Sequence, residues 1–283
     1  MAHQRTTMER DNMDGKEASL PATSCFPDIR NRWIETQETL KRRLITEDDF
    51  TWPLPPEGAA TSKVEGRGEG VGVLKYVGGV DISFSKNDPF IACGALVVLD
   101  LYTLQVVYDD YSVVRLHTPY VPGFLAFREA PILLELLERM KNCAHPSYPQ
   151  LLMVDGNGVL HPQGFGLACH LGVLANLPTI GIGKNLHHVD GLTQSRVRQL
   201  LEAKGSFDDD IITLTGDSGH IWGAAIQSTL GSVKPIFISV GHRVSLATAI
   251  KIVKMTCKYR VPEPIRQADI RSRDYLQKHQ GVH

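Results

Sequence analysis

Residues 76–114 read YVGGVDISFSKNDPFIACGALVVLDLYTLQVVYDDYSVV. Three runs within them, Tyr76–Ser83, Ile91–Asp100 and Gln105–Val114, are rich in Val and Ile and are joined by short turns. They read as three successive strands. The turns are too short to carry a crossover, so the three strands are expected to pair antiparallel. Downstream the pattern changes. Pro131–Met140 (PILLELLERM) reads as a helix with proline in its first turn, and Leu151–Asp155 (LLMVD) as a short, fully apolar strand. Gly164–Ala175 is a helix of small and aliphatic residues, Thr179–Gly183 (TIGIG) a second buried strand, and Thr193–Ala203 a helix closed by Gly205. Ile221–Gln227 and Ile236–Val240 read as strands, Leu246–Lys258 as a helix capped by Ser245, and Pro262–Tyr275 as a last helix. Three antiparallel strands followed by strand–helix units imply an α/β fold, a mixed sheet with helices on its faces.

Upstream, Asn31–Leu44 places Trp33, Leu40 and Leu44 among charges and predicts an amphipathic helix. Residues 1–27 are polar and aperiodic and are expected to be a disordered leader. Glu57–Gly72 (EGAATSKVEGRGEGVG) is glycine-rich, has no periodic apolar face, and lacks the GxxxxGK[ST] pattern of a phosphate-cradling loop. It is expected to be a flexible loop within one domain spanning 28–283.

The chain has 283 residues, a formal net charge of −1, and 42% hydrophobic against 22% charged positions. That length supports a sizeable core, and the balance excludes collagen, coiled coil and wholesale disorder. No apolar run reaches the roughly 18 residues of a membrane span, and MAHQRTTMERDNMDG has no signal-peptide core. Five scattered cysteines without a CxxC pair argue against a disulfide framework or a cysteine zinc site and for a reducing compartment. Near-neutral charge gives no global sign of nucleic-acid binding, but an acidic metal cluster would offset basic residues elsewhere. From Gly241 to His283 nine Lys/Arg stand against three acids, a local excess of six positive charges. Such a stripe can bind phosphates or can simply be a solvated helix face.

The chemistry sits at strand ends. Asp81 follows VGGV and Asp155 follows LLMV. A carboxylate there can cap a loop, but two of them on adjacent parallel strands would lie side by side, and ligands of open α/β sheets bind at such ends. Two close carboxylates repel, and oxygen-only ligation relieves that repulsion with Mg²⁺ or Mn²⁺. Glu129 lies in a helix's first turn, where the dipole alone favours an acid. Asp269, with Ile265 and Arg266 one turn before it, reads equally as a surface acid paired with that arginine. His242 follows a strand and precedes a helix cap, where a histidine can be structural or chemical. PYVPGF, Pro119–Phe124, is a stiff loop whose Tyr120 could stack on a base, or an ordinary proline connection. In GNGVLHPQGFG the glycines at 156 and 158 could let backbone approach a planar ligand or could serve simple turns, and His161 could contact a phosphate or only a turn. Lys184, ending IGIGK, could offset phosphate charge or be solvated.

Five motifs decide between these readings. VGGVDISF (77–84), PYVPGFLAFRE (119–129), VDGNGVLHPQGFGLACHLGV (154–173), SVGHRVSL (239–246) and PEPIRQAD (262–269), in that order, resemble endonuclease V, most of all its animal members. The likeness spans about Tyr76 to Arg273 and implies a ribonuclease H-like sheet. By resemblance, Asp81, Glu129 and Asp155 ligate a catalytic Mg²⁺, with Mn²⁺ able to substitute, and His242 and Asp269 belong to the same metal site. Pro119, Tyr120, Val121 and Pro122 match the family's wedge, although its last position is Gly123 here. Lys184 matches its phosphate lysine, His161 its loop histidine, and Gly156 and Gly158 the wall of its hypoxanthine pocket.

The resemblance further implies hydrolysis of the second phosphodiester 3′ to an inosine, leaving 3′-hydroxyl and 5′-phosphate ends. The expected substrate is inosine-containing single-stranded RNA, with deoxyinosine DNA as the other candidate. A monomer in the cytoplasm or nucleus, with no membrane association, is expected. The rival readings are a ribonuclease H-like nuclease of other specificity and a non-catalytic inosine-RNA binding protein.

Overall fold

The computed structural model of the chain describes residues 26–56, 72–204, 211–228 and 234–279. The expected glycine-rich loop, but for Gly72, and the expected leader, but for its last two residues, lie outside them. Three strands open the sheet: β1 (Tyr76–Phe84), β2 (Ile91–Asp100) and β3 (Val106–Arg115). They pair antiparallel as the short turns require, Asp81 opposite Ala95 and Ala95 opposite Tyr111. β4 (Leu151–Asp155) then adds parallel to β1, and β5 (Thr179–Gly183) parallel to β4. β6 (Ile211–Thr215), β7 (Ile221–Ile226) and β8 (Ile236–His242) complete an eight-stranded sheet of order β3-β2-β1-β4-β5-β8-β7-β6, with β8 antiparallel to β5. This is the mixed, ribonuclease H-like arrangement that the sequence led us to expect.

Six helices cover the sheet: α1 (Phe26–Lys41), α2 (Ala126–Asn142), α3 (Leu167–Ala175), α4 (Gln194–Lys204), α5 (Leu246–Thr256) and α6 (Glu263–His279). The strand period of two assigns the faces. Leu96, Val98, Leu152 and Val154 pack with Ala130, Leu133, Leu137 and Leu171 of α2 and α3. Their neighbours Leu151 and Met153 pack on the other face with Ile252 of α5 and Ile265 of α6, and Ala95, Val97 and Leu99 pack with Ala268 of α6. Both faces of the central strands are therefore dry, which is why they read as unbroken apolar runs.

Several boundaries and one strand depart from the sequence reading: α1 begins at Phe26 rather than Asn31, so its first two residues fall in the expected disordered leader, α3 begins at Leu167, and α6 runs on to His279. α2 begins at Ala126, so Pro131 lies inside the helix rather than in its first turn. The earlier start is held by aromatic packing: Phe127 stacks on Trp33 of α1 at 5.1 Å between ring centroids, and Phe124 packs at 6.0 Å from the same indole. β6 was not expected. Its alternation is short, with only Ile212 and Leu214 buried on one side. No helix among the described residues is long and apolar enough to cross a membrane.

Candidate metal centre and nucleic-acid interface

Register brings the first two acids together. Val80 pairs with Val154 on parallel neighbours, so Asp81 and Asp155 follow one step later, side by side. Val80 and Val154 face α2 and α3, so the next residues point to the opposite face, where α6 lies. Gly79 lets α6 settle there. A Cβ at position 79 would stand 2.1 Å from the carbonyl oxygen of Pro264, so only glycine admits the start of α6 this close to β1. One and a half turns later that helix delivers Asp269. Carboxylate oxygens of Asp81, Asp155 and Asp269 lie within 4.8 Å of one another.

Cations and hydroxyls compensate this acid group. Lys184, at the end of β5, places Nζ 2.5 Å from Asp155 Oδ2 and 3.9 Å from Asp269 Oδ1. Arg273, one turn past Asp269, donates to its Oδ1. Ser272 donates toward Asp81 Oδ2 at 3.3 Å. Asp81 is 8% exposed, and its carboxyl is held well above the usual range by burial first and by the charge of Asp155 second. Burial alone would lower the Lys184 ammonium, but Asp155, Asp269 and Asp81 raise it. A cavity of about 530 Å³ opens over the group, lined among others by Asp81, Asp155, Lys184, Asp269, Arg273 and Phe84. That volume is in the range of small-ligand pockets. Three converging carboxylates, with all-oxygen donors and a repulsion that only partners relieve, fit a hard divalent cation.

The other expected residues are placed as follows. Glu129 lies in the first turn of α2, outside the three-acid group. It is 7% exposed, and burial pushes its carboxyl up to about 7, with Arg128 opposing and the charge of Asp155 reinforcing the rise. His242 is not brought to the acids. Because β8 runs antiparallel to β5, His242 pairs with Thr179, whereas Asp155 pairs with Ile182 at the far end of the same strand. Its Nδ1 accepts the Ile45 N–H at 3.2 Å, and burial brings the ring down to about 4. His161 is buried in the loop after β4, its ring 5.9 Å edge-to-face from His187 and its Nδ1 accepting the Gln163 N–H. Burial, then the charges of His187 and Lys41, bring it down to about 4.

Of the loop glycines, Gly158 has a packing reason. Its N–H donates to Ser239 Oγ at 2.8 Å, and a Cβ there would stand 1.9 Å from Val240 O. The Gly156 N–H is taken by Ile182 O at 3.1 Å. Pro119, Tyr120, Val121 and Pro122 form a protruding loop whose tip, Tyr120, is 63% exposed. The loop closes with the Phe124 N–H on Val121 O, and Gly123 (φ +82°) backs onto the Gln163 side chain of the glycine loop. Its root is the Trp33–Phe124–Phe127 cluster, so a free tip stands on a fixed base.

The endonuclease V family model matches residues 59–270. The chain belongs to the endonuclease V family. This places it among nucleases. The mouse Endonuclease V is 46% identical over 253 residues, covering 88% of this chain and 70% of the relative. Among solved structures, the catalytic domain of human Endonuclease V superposes with a TM-score of 0.80 at 41% identity, covering 90% of this chain and 99% of that one. Endonuclease V of Ciona intestinalis, in complex with a 24mer DNA containing an inosine followed by a ribo-adenosine, superposes with a TM-score of 0.77 at 34% identity, covering 89% and 99%.

Three residues of this endonuclease V site escaped the sequence reading, although spacing marked them. Ser83 stands two after Asp81, on the same face of β1, and Ser272 and Arg273 stand three and four after Asp269, on the same face of α6.

Proposed function

We propose that this chain is a divalent-metal-dependent endonuclease that recognises inosine in nucleic acid and hydrolyses the second phosphodiester 3′ to it. It leaves 3′-hydroxyl and 5′-phosphate ends, takes single-stranded RNA in preference to deoxyinosine DNA, and acts as a monomer in the cytoplasm or nucleus. The observation that carries this reading is the convergence of Asp81, Asp155 and Asp269 beside Lys184 in a nuclease-family chain. The three aspartates would hold the cation directly, with Glu129 approaching from α2 as the fourth acid. Mg²⁺, or Mn²⁺ in its place, would supply there the polarisation of the phosphate and the acidification of the attacking water.

The chain's own groups do the rest. Lys184 and Arg273 already stand on the acids, so both lie within reach of a phosphate oxygen delivered to the same place. Each would offset charge that grows on the phosphoryl oxygens. The exposed Tyr120 would fill the gap left by the base as it leaves its stack. Hypoxanthine would enter beside the loop carrying Gly156, Gly158 and His161. Since the N–H groups of both glycines are spent on Ile182 and Ser239, its recognition falls to the other groups of that loop. The inosine-containing DNA held by the Ciona relative supports this substrate class.

The test is cleavage of matched end-labelled oligonucleotides, single-stranded RNA and duplex DNA, each carrying one inosine or one adenosine, in Mg²⁺. Inosine-dependent cuts on RNA, lost in Asp81→Ala, support the proposal. Equal cutting of adenosine substrates would replace inosine recognition with another specificity. Inosine binding without any cleavage would make the protein a binding module.

A further inference from the structure

The acid group is tied together by a hydroxyl chain that runs from β1 to α6. Ser272 is fully buried, and its Oγ lies 2.7 Å from Ser83 Oγ, 3.1 Å from the main-chain oxygen of Asp269 and 3.3 Å from Asp81 Oδ2. The proton count orients the chain. A serine hydroxyl has one proton. Among the described residues the Ser83 hydroxyl has Ser272 as its side-chain partner, while Ser272 has two further acceptors. Ser83 therefore donates to Ser272, which leaves the Ser272 proton for the Asp81 carboxylate and the Asp269 carbonyl.

We propose that Ser272, backed by Ser83, is a positioning residue for the metal centre. Its hydroxyl holds Asp81 Oδ2 and thereby turns the other carboxylate oxygen toward Asp155 and Asp269. The proposal rests on the metal-dependent reading of the site given above. Its logic is that of outer partners of metal ligands, which orient a ligand before the ion arrives and whose removal weakens binding by about 10–100-fold. The location supports this over a purely structural join. Ser83 borders the cavity with Asp81, whereas apolar contacts such as those of Ala268 with Val97 and Leu99 already fasten α6 to the sheet.

The experiment is calorimetric titration of the full chain with Mn²⁺, without nucleic acid, beside thermal unfolding in EDTA. Ser272→Ala is expected to raise the Mn²⁺ Kd about tenfold, and Ser83→Ala by less, because Ser272 keeps its own proton. Ser272→Thr, which restores the hydroxyl, is expected to recover most of the affinity. If Ser272→Ala lowers only the unfolding temperature and leaves the Kd at the wild-type value, the link is structural and the proposal is overturned. Should Ser272→Ala not fold, Ser83→Ala and Ser272→Thr decide: wild-type Kd in the first, or tenfold weakening in the second, overturns it. Wild type that binds Mn²⁺ but ignores inosine would sink the substrate assignment alone. Wild type that cuts inosine nucleic acid with an unchanged Ser272→Ala Kd would sink the serine assignment alone. Wild type that binds no Mn²⁺ would overturn the positioning role outright.

Discussion

Gly79→Ala puts the geometry of the acid group under direct strain. The new methyl carbon would meet backbone: the Pro264 oxygen at 2.1 Å, its carbonyl carbon at 2.2 Å and its Cα at 2.8 Å. No side chain can swing away there, so α6 and β1 must part by about 1 Å before the closest contact reaches an acceptable distance. Overpacking of this kind costs about 1–3 kcal/mol, and a clash with backbone belongs at the upper end of that range. For a chain this long, each kcal/mol lowers the melting temperature by roughly 2–4 °C. The same displacement carries Asp269 and Ser272 away from Asp81 and Asp155. A misplacement of about 1 Å can cost on the order of a hundredfold in rate. The assay is paired: thermal or urea unfolding in EDTA, and single-turnover cleavage of an inosine oligonucleotide in Mg²⁺. Gly72→Ala is the control, since a Cβ there meets nothing within 4 Å. Gly79→Ala with wild-type stability and wild-type rate would refute the argument that close approach of α6 sets the site.

Three further perturbations test separate parts of the site. Burial raises Glu129 from 4.5 to about 7, so the folded state binds its proton more tightly than the unfolded chain. Its contribution to stability is complete below about 4.5 and is lost as pH climbs to about 7. Unfolding in EDTA should show that loss in wild type and a flatter profile in Glu129→Gln, and identical slopes would count against the burial argument. His242→Ala removes the acceptor of the partly buried Ile45 N–H and should cost about 1–3 kcal/mol of stability while leaving cleavage close to wild type. A hundredfold slower enzyme of unchanged stability would return that histidine to the chemistry. Tyr120→Ala should weaken oligonucleotide binding by about 1–3 kcal/mol with no change in melting temperature, because the ring is exposed in the free protein. An unaltered Kd would remove the wedge role.

How far the sequence reached can be traced residue by residue. β1, β2, β4 and β5 were readable because their apolar runs are buried on both faces and end in turn residues. β6 was not, because Ile212 and Leu214 are its only buried members and an acidic run precedes it. The meeting of Asp81 with Asp155 was readable only in part: Asp155 closes β4, but Asp81 lies inside β1, three residues before its end, and the register of Val80 on Val154 brings the two side by side. The start of α2 was misjudged because Trp33, some ninety residues upstream, holds its first turn.

Sequence alone determined which side of each element a residue occupies, because the periods of strand and helix are properties of the local backbone. It thereby marked Asp155 and Lys184 as strand-end groups and Asp81 as the first polar residue after an apolar run, and its motifs already pointed to the endonuclease V family. Only the tertiary structure decided which of those ends meet. The reversed direction of β8 carries His242 to the far end of β5, whereas the bare Cα of Gly79 lets α6 bring Asp269 and Ser272 to the acids. Strand direction and close approach between distant segments are consequences of how whole faces pack, and no local run of residues encodes them.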